Sequence, residues 1–245
     1  MSRTTSGQPV ATSPGPARGD HRESRAEQGL HAVAEAIKPH LRGWLHACTF
    51  PAAVAAGVVL VVLAPTLTAR VTLAIFGLSA ALLFGISALY HRFSWSGASL
   101  RVLKRLDHAN IFLIIAGTYT PFSALALPHG QATLLLWLVW GGALAGMAFR
   151  LSWTGAPRWL YVPVYIALGW VAVMFMPGFW RGAGPVVFFL ILAGGLCYTV
   201  GGVVYALKRP DPSPRWFGYH EVFHALTVVG FAAHYAGLSV LVSSL

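Results

Sequence analysis

The chain has 245 residues, of which 56% are hydrophobic and only 10% are charged. Soluble domains carry about 25% charged residues, so this composition excludes an ordinary soluble domain and indicates a membrane protein. The formal net charge of +10 comes from 17 Lys and Arg against 7 Asp and Glu. Because the basic residues lie mostly between apolar runs, membrane topology explains the excess better than nucleic-acid binding, and we expect no nucleic-acid partner.

The first 28 residues are rich in Ser, Pro, Gly and charge, and they contain too few large apolar side chains to offset the entropy lost on ordering. We therefore predict a disordered tail over 1–28. It has no apolar segment followed by a small-residue cleavage site, so we do not expect it to be a secretory signal peptide. Residues 29–44 predict a short interfacial helix interrupted at Pro39, with Arg42 and Trp44 suited to the headgroup layer.

Seven apolar runs follow, each close to the ~20 residues that a helix needs to cross a hydrocarbon core of ~30 Å. They predict an all-α fold over 45–245, a bundle of seven transmembrane helices in a multi-pass protein of the cell membrane. All but two of the 17 Lys and Arg fall in the tail and in alternate loops, and only Arg70 and Arg181 lie on the other side. Since Lys and Arg accumulate in cytoplasmic loops, the N-terminus is predicted inside and the C-terminus outside. The predicted helices are 45–64, 71–90, 107–127, 132–149, 159–176, 185–206 and 217–241, with candidate kinks at Pro121 and Pro163.

Two acidic side chains, Asp107 and Glu221, lie in the first turn of a predicted membrane helix. This position suits an acid, because the positive end of the helix macrodipole favours negative charge. Ionisable groups at membrane depth are costly, however, and they often mark functional sites. Both acids are therefore candidates for chemistry.

Residues 220–224 read His-Glu-Val-Phe-His and match H-E-x-x-H, in which two histidines bind zinc and the glutamate is the general base of a metalloprotease. Four helical residues rise about 6 Å and turn about 400°, so His220 and His224 project from one face. Zinc needs a third ligand. The motif alone leaves open a structural histidine pair and an intramembrane zinc protease.

The predicted topology supplies a third histidine at the same depth. The seventh helix enters from the cytoplasmic side at His220, and the second helix ends on that side with SALYH, at His91. Together with His224 these residues predict a three-histidine zinc site whose fourth position is open to water, as in catalytic centres. Ser87 lies one turn deeper on the same face as His91, within reach of the water, a substrate carbonyl or a ligand's second nitrogen. Asp107 begins the third helix in this layer.

The other histidines are predicted to lie outside this centre. His234 lies about 15 Å deeper than His224, too far to share an ion, and we predict that it is a buried polar group. His108 points about 100° away from its neighbour Asp107 on the helix. The remaining five are predicted to be polar surface groups: His21, His31, His40, His46 and His129.

Four motifs occur in order along the chain: KPHLRGWLH at 38–46, SALYH at 87–91, RLDHANIFLIIAGTYTPF at 105–122 and HEVFHALTVVGFAAHY at 220–235. From Lys38 onward the chain resembles the hemolysin III family, relatives of the adiponectin and progestin receptors. The resemblance implies a seven-helix bundle with a zinc site on the cytoplasmic side. Receptor members often carry Gln at the position of Glu221, which puts the role of this acid in question. The implied metal ligands are His91, His220 and His224, with Ser87 and Asp107 around the bound water.

The wider superfamily includes alkaline ceramidases and resembles a set of zinc-dependent lipid amide hydrolases. For this chain the resemblance implies hydrolysis of a lipid amide or ester, with zinc as cofactor and a membrane lipid as substrate. Asp107 would orient or deprotonate the attacking water. Two alternatives stay open: a lytic or receptor-like membrane protein with structural zinc, and an intramembrane zinc metalloprotease that uses Glu221.

Overall fold

The computed structural model describes residues 39–153 and 155–245. These residues form six stretches that are long and apolar enough to cross a membrane, five single helices and a continuous stretch over Arg158–Leu207. The all-helical membrane fold is thus confirmed for the described residues, whereas the predicted tail over 1–28 lies outside them. The helices are α1 (Trp44–Leu63), α2 (Leu67–Arg92), α3 (Gly97–Ala126), α4 (His129–Ser152), α5 (Arg158–Gly169), a 3-10 helix (Trp170–Phe175), α6 (Met176–Leu207) and α7 (Tyr219–Ser243).

The predicted interfacial helix over 29–44 falls mostly outside the described residues. Its described end is a turn over 40–43, after which α1 begins at Trp44. The backbone N–H groups of His40 and Leu41 donate to the carbonyls of Arg215 and Trp216, at 2.9 and 3.2 Å. The turn before α1 is therefore tied to the loop that precedes α7.

The third helix begins ten residues earlier than the apolar run predicts. The pattern misses residues 97–106 because Arg101, Lys104 and Arg105 are charged, although Lys and Arg are good helix formers. Arg101 and Lys104 are exposed, so the added turns extend beyond the buried part of the bundle. Asp107 consequently lies about three turns into α3, and its predicted place in a first turn is wrong.

The predicted helices 159–176 and 185–206 are continuous in the structure. The 3-10 helix links α5 to α6 without a loop, and the first real break is Gly184, with φ 77° and ψ 170°. Only glycine adopts this conformation readily. The second part of α6 then packs back along α5. The Arg158 guanidinium lies over the Tyr205 ring, and the Trp170 indole N–H donates to the Thr199 hydroxyl. The stretch is a helical hairpin that turns near Gly184.

Tyr119 of α3 stabilises the change from α5 to the 3-10 helix. Its hydroxyl donates to the Gly169 carbonyl at 2.6 Å and accepts the Ala172 N–H at 2.7 Å. Both backbone groups lie where the regular helical pattern changes, and backbone groups at membrane depth must be satisfied within the protein. The tyrosine therefore allows an irregular segment inside the bundle.

Small residues bring the helices together, and large apolar side chains cover the outside. A Cβ atom on Gly57 of α1 would lie 3.1 Å from the Cα of Gly77 of α2, a close approach typical of membrane helix interfaces. Phe76, Phe84 and Phe112 fill the core with at most 1% of their surface exposed. Many large apolar residues remain exposed, which suits a bundle surrounded by lipid. Examples are Leu63, Leu67, Trp137, Met174 and Phe189.

Candidate metal centre

Three histidines converge where the end of α2 meets the start of α7. One ring nitrogen from each of His91, His220 and His224 lies within 4.8 Å of the other two. The Nε2 atoms of His91 and His220 are 3.2 Å apart. Ring centroids in the triad are 4.5 to 5.2 Å apart. The structure thus brings the three predicted ligands together.

The donor set fits zinc. Zinc–imidazole bonds of 2.0–2.1 Å at tetrahedral angles would separate two ligand nitrogens by about 3.3 Å, close to the 3.2 Å between His91 and His220. Neutral imidazoles are common zinc ligands, and three of them leave a fourth position for water or substrate. Within residues 39–153 and 155–245, this is the only group of three or more potential ligands with such spacing.

Asp107 reaches the triad from α3. Its Oδ2 lies 3.8 Å from Nε2 of His91, the same nitrogen that faces His220. Ser87 of α2 faces the Asp107 carboxylate across the antiparallel α2–α3 pair, and the two side chains are close enough to interact. Ser87 is 2% exposed. The water, substrate carbonyl and ligand nitrogen predicted as partners of Ser87 stay predictions, and Ser87 lies where its hydroxyl could also orient the Asp107 carboxylate.

Glu221 lies within the H-E-x-x-H motif, but its carboxylate is engaged elsewhere. The Nε of Arg42 donates to Oε1, and the backbone N–H of Gly218 donates to Oε2 at 2.9 Å. The side chain is 1% exposed and lies in the first turn of α7, where it caps the helix. A metalloprotease uses this glutamate as its base. Here both oxygens stabilise the start of α7, which disfavours the protease alternative.

The predicted surface position of His46 is wrong, because this residue is only 2% exposed. Its ring stacks on His224 and meets the edge of Phe84 at 5.0 Å. Among the described residues, neither ring nitrogen of His46 has a hydrogen-bond partner of good geometry. One feature of the sequence could have indicated this buried position: His46 lies in the first turn of the first predicted helix, at the same predicted depth as the triad. The prediction missed that α1 packs against α7.

The turn before α1 lies directly against the triad. Gly43 has φ 80°, and a Cβ atom there would lie 2.8 Å from Cβ of His91. A larger residue would be strained and would push the turn away from α2. Together with the pair between Arg42 and Glu221, this contact fixes the turn across the ends of α2 and α7.

The other histidines lie outside the triad. His234 is buried, as predicted, and its Nε2 lies 3.1 Å from the Ile191 carbonyl. The Nδ1 of His108 lies 2.7 Å from the Lys104 carbonyl and is not part of the metal-sized group. Of the five predicted surface histidines, His40 and His129 are exposed, whereas His21 and His31 lie outside the described residues.

Known proteins with similar sequences identify the family. The profile described as Haemolysin-III related matches residues 34–235. The "Hemolysin-3 homolog" of Bacillus subtilis is 31% identical over 163 residues, which is 66% of this chain and 73% of that protein. "Hemolysin-3" of Bacillus cereus is 30% identical over 167 residues, 68% of this chain and 73% of that protein. The "Adiponectin receptor protein" of Drosophila melanogaster is 24% identical over 190 residues, 69% of this chain and 42% of that protein. The chain therefore belongs to the haemolysin-III related family, as a multi-pass membrane protein related to adiponectin receptors.

Proposed function

We propose that this protein is a zinc-dependent hydrolase of lipid amide or ester bonds. The observation that carries the proposal is the Asp107 carboxylate beside three convergent imidazoles, with its Oδ2 3.8 Å from Nε2 of His91. A metal with three protein ligands and a nearby acid–base group is the arrangement of catalytic zinc sites. A membrane lipid is the substrate class that such a site in a helical bundle would meet first.

The proposal includes seven membrane crossings, with the N-terminus inside and the C-terminus outside. The stretch Arg158–Leu207 has 50 residues, far more than the ~20 needed for one crossing. Its break at Gly184 and the antiparallel contacts of Arg158 with Tyr205 support two crossings rather than one. With seven crossings, the excess of Lys and Arg in alternate loops supports a triad on the cytoplasmic side.

Each residue of the centre has a proposed role. His91, His220 and His224 would hold the ion, which when bound supplies Lewis-acid chemistry toward an acyl carbonyl and a water. Asp107 would accept a proton from the attacking water and return it to the leaving amine or alcohol. Ser87 would position the Asp107 carboxylate by donating a hydrogen bond to it.

Metal analysis coupled to a lipid comparison tests this function. Purified protein should contain about one zinc per chain, as a single three-histidine site requires. Cells that express the wild type should contain more free fatty acid, and less of one amide or ester lipid, than cells that express Asp107→Ala. Protein without zinc, or identical lipid profiles for the two chains, would refute the proposal.

A second candidate is a lytic or receptor-like protein whose zinc is structural. The names of the relatives favour it, since two are called hemolysins and one a receptor. A metal that joins α2 to α7 would also stabilise the bundle without any chemistry. In that case zinc removal would lower the melting temperature, while lysis of vesicles or signalling would survive Asp107→Ala.

A further inference from the structure

A positively charged aromatic cluster lies beside the triad, where α5, α6 and α7 meet. Arg158 begins α5, and its Cζ lies 4.5 Å from the ring centroid of Tyr205 and 5.7 Å from that of Tyr219. It donates to the Tyr205 carbonyl and to the Tyr219 hydroxyl, both at the long distance of 3.4 Å. All three side chains are partly exposed, so a ligand is able to reach them.

No protein carboxylate neutralises this arginine in the part of the chain that the structure describes. There, the pair between Arg42 and Glu221 is the only lysine or arginine ion pair within 4.0 Å. A guanidinium presents five N–H donors in a planar fork that matches phosphate and carboxylate groups. The two weak bonds that Arg158 makes to neutral groups therefore leave it suited to an anion from outside the protein.

A second cation, Arg150, lies on the buried side of the cluster. Arg150 is 2% exposed, and its Cζ lies 4.3 Å from the ring centroid of Tyr161, whose hydroxyl is 3.3 Å from that of Tyr205. Its hydrogen bonds go to neutral groups, and its Nε has no partner among the described residues. Burying a cation without a counter-charge is costly. An anion bound at Arg158 would lower that cost.

The position of the cluster indicates a lipid headgroup rather than a soluble anion. Trp159 follows Arg158 in the chain and Trp216 lies three residues before Tyr219; they are 74% and 59% exposed, and tryptophan is enriched at the headgroup level of membranes. The Tyr205 ring lies 4.5 Å from the Arg158 guanidinium and 5.7 Å from the His220 ring, so these two groups are within about 10 Å. One lipid molecule is able to place its anionic group at Arg158 and an acyl carbonyl near the triad.

We propose that Arg158, Tyr205 and Tyr219 bind the anionic headgroup of a membrane lipid and that Arg150 adds positive charge behind them. The proposal rests on the proposed hydrolase function in one respect only, namely that the bound lipid is also the substrate. Binding of the headgroup itself needs neither zinc nor catalysis.

The test uses the full-length protein in detergent, exposed to mixed micelles of phosphatidylcholine with phosphatidic acid or phosphatidylglycerol. Native mass spectrometry counts the lipids that stay bound. The wild type should retain the anionic lipids in preference to phosphatidylcholine. Arg158→Gln should reduce this retention about tenfold, which corresponds to about 1.4 kcal/mol, and Tyr219→Phe should reduce it less. Arg101→Gln, which removes an exposed arginine of α3, is the matched control and should bind as the wild type does.

Two results would overturn the inference. The first is equal retention of anionic lipid by the wild type and by both cluster variants, each eluting as a single species on size exclusion. The second is binding of inorganic phosphate at Arg158 with no preference for anionic lipid, which would assign the cluster to a free anion. The hydrolase proposal fails separately: a chain without zinc or turnover that still selects anionic lipid refutes the hydrolase and retains the headgroup site.

Discussion

His46 stacks face to face on His224, with ring centroids 3.8 Å apart and ring planes 4° apart. Two parallel rings in contact restrict each other's rotation, so α1 fixes the orientation of one proposed ligand on α7. The metal-sized group contains His91, His220 and His224 but not His46. We infer that His46 supports a ligand by packing rather than by binding the ion.

The variant His46→Phe tests this role. Phenylalanine preserves the ring stack and removes two buried nitrogens that have no hydrogen-bond partner of good geometry among the described residues. Zinc should therefore remain at about one per chain, and the unfolding temperature should stay close to that of the wild type. His46→Ala removes the stack and should lower the free energy of unfolding by about 2–4 kcal/mol. Metal analysis and thermal unfolding in detergent measure both effects. Loss of zinc from a folded His46→Phe protein would instead make His46 a ligand.

The proposed ligand set is tested by His91→Ala. One imidazole fewer leaves two protein ligands, which is too few for a stable zinc site, so the purified variant should lose its metal. The control is His129→Ala, which removes an exposed histidine at the start of α4. Metal content after dialysis against a weak chelator is the measurement. If His91→Ala keeps zinc as fully as His129→Ala does, the assignment of His91 is wrong.

Hydropathy and loop charge were sufficient to predict that His91, His220 and His224 lie in one layer, because these patterns determine which helix ends share a side. They do not determine the rotation of each helix about its axis. The contact of Ser87 with Asp107 and the stack of His46 on His224 depend on that rotation, and the sequence did not predict them. The early start of α3 was missed for another reason. An apolar run stops at charged residues, whereas a helix can continue through them.

The carboxylate of Glu221 joins the start of α7 to the turn before α1, and Glu221→Gln should weaken this link. The amide loses the charge that pairs with Arg42, so the free energy of unfolding should fall by about 1–3 kcal/mol while zinc stays bound. A double-mutant cycle with Arg42→Gln isolates the pair, because the second substitution should add little once the first is present. A variant with unchanged stability and no hydrolysis would point to Glu221 as a base after all.

Two glycines of α6 offer a matched test of the break in the α5–α6 hairpin. A Cβ atom added at Gly184 or at Gly195 meets no atom within 4 Å, so neither substitution causes a clash. Gly184 has φ 77°, however, whereas Gly195 is helical. Gly184→Ala should therefore destabilise the protein by about 1–3 kcal/mol, and Gly195→Ala should be neutral or stabilising. Equal unfolding temperatures for the two variants would mean that the hairpin does not require the break.

The proposed role of Ser87, to position the Asp107 carboxylate, predicts a graded effect on lipid hydrolysis. Asp107→Asn keeps the shape of the side chain but removes the proton acceptor, so the hydrolysis rate should fall by roughly 10²–10⁴ with zinc retained. Ser87→Ala frees the carboxylate to rotate and should cost about 10–100-fold. In the double variant the serine no longer has a carboxylate to position, so its loss should add little to the effect of Asp107→Asn. Turnover of an amide or ester lipid in vesicles, with metal content measured on the same samples, gives all three values. Fully additive losses would show that Ser87 acts on the substrate directly and not through Asp107.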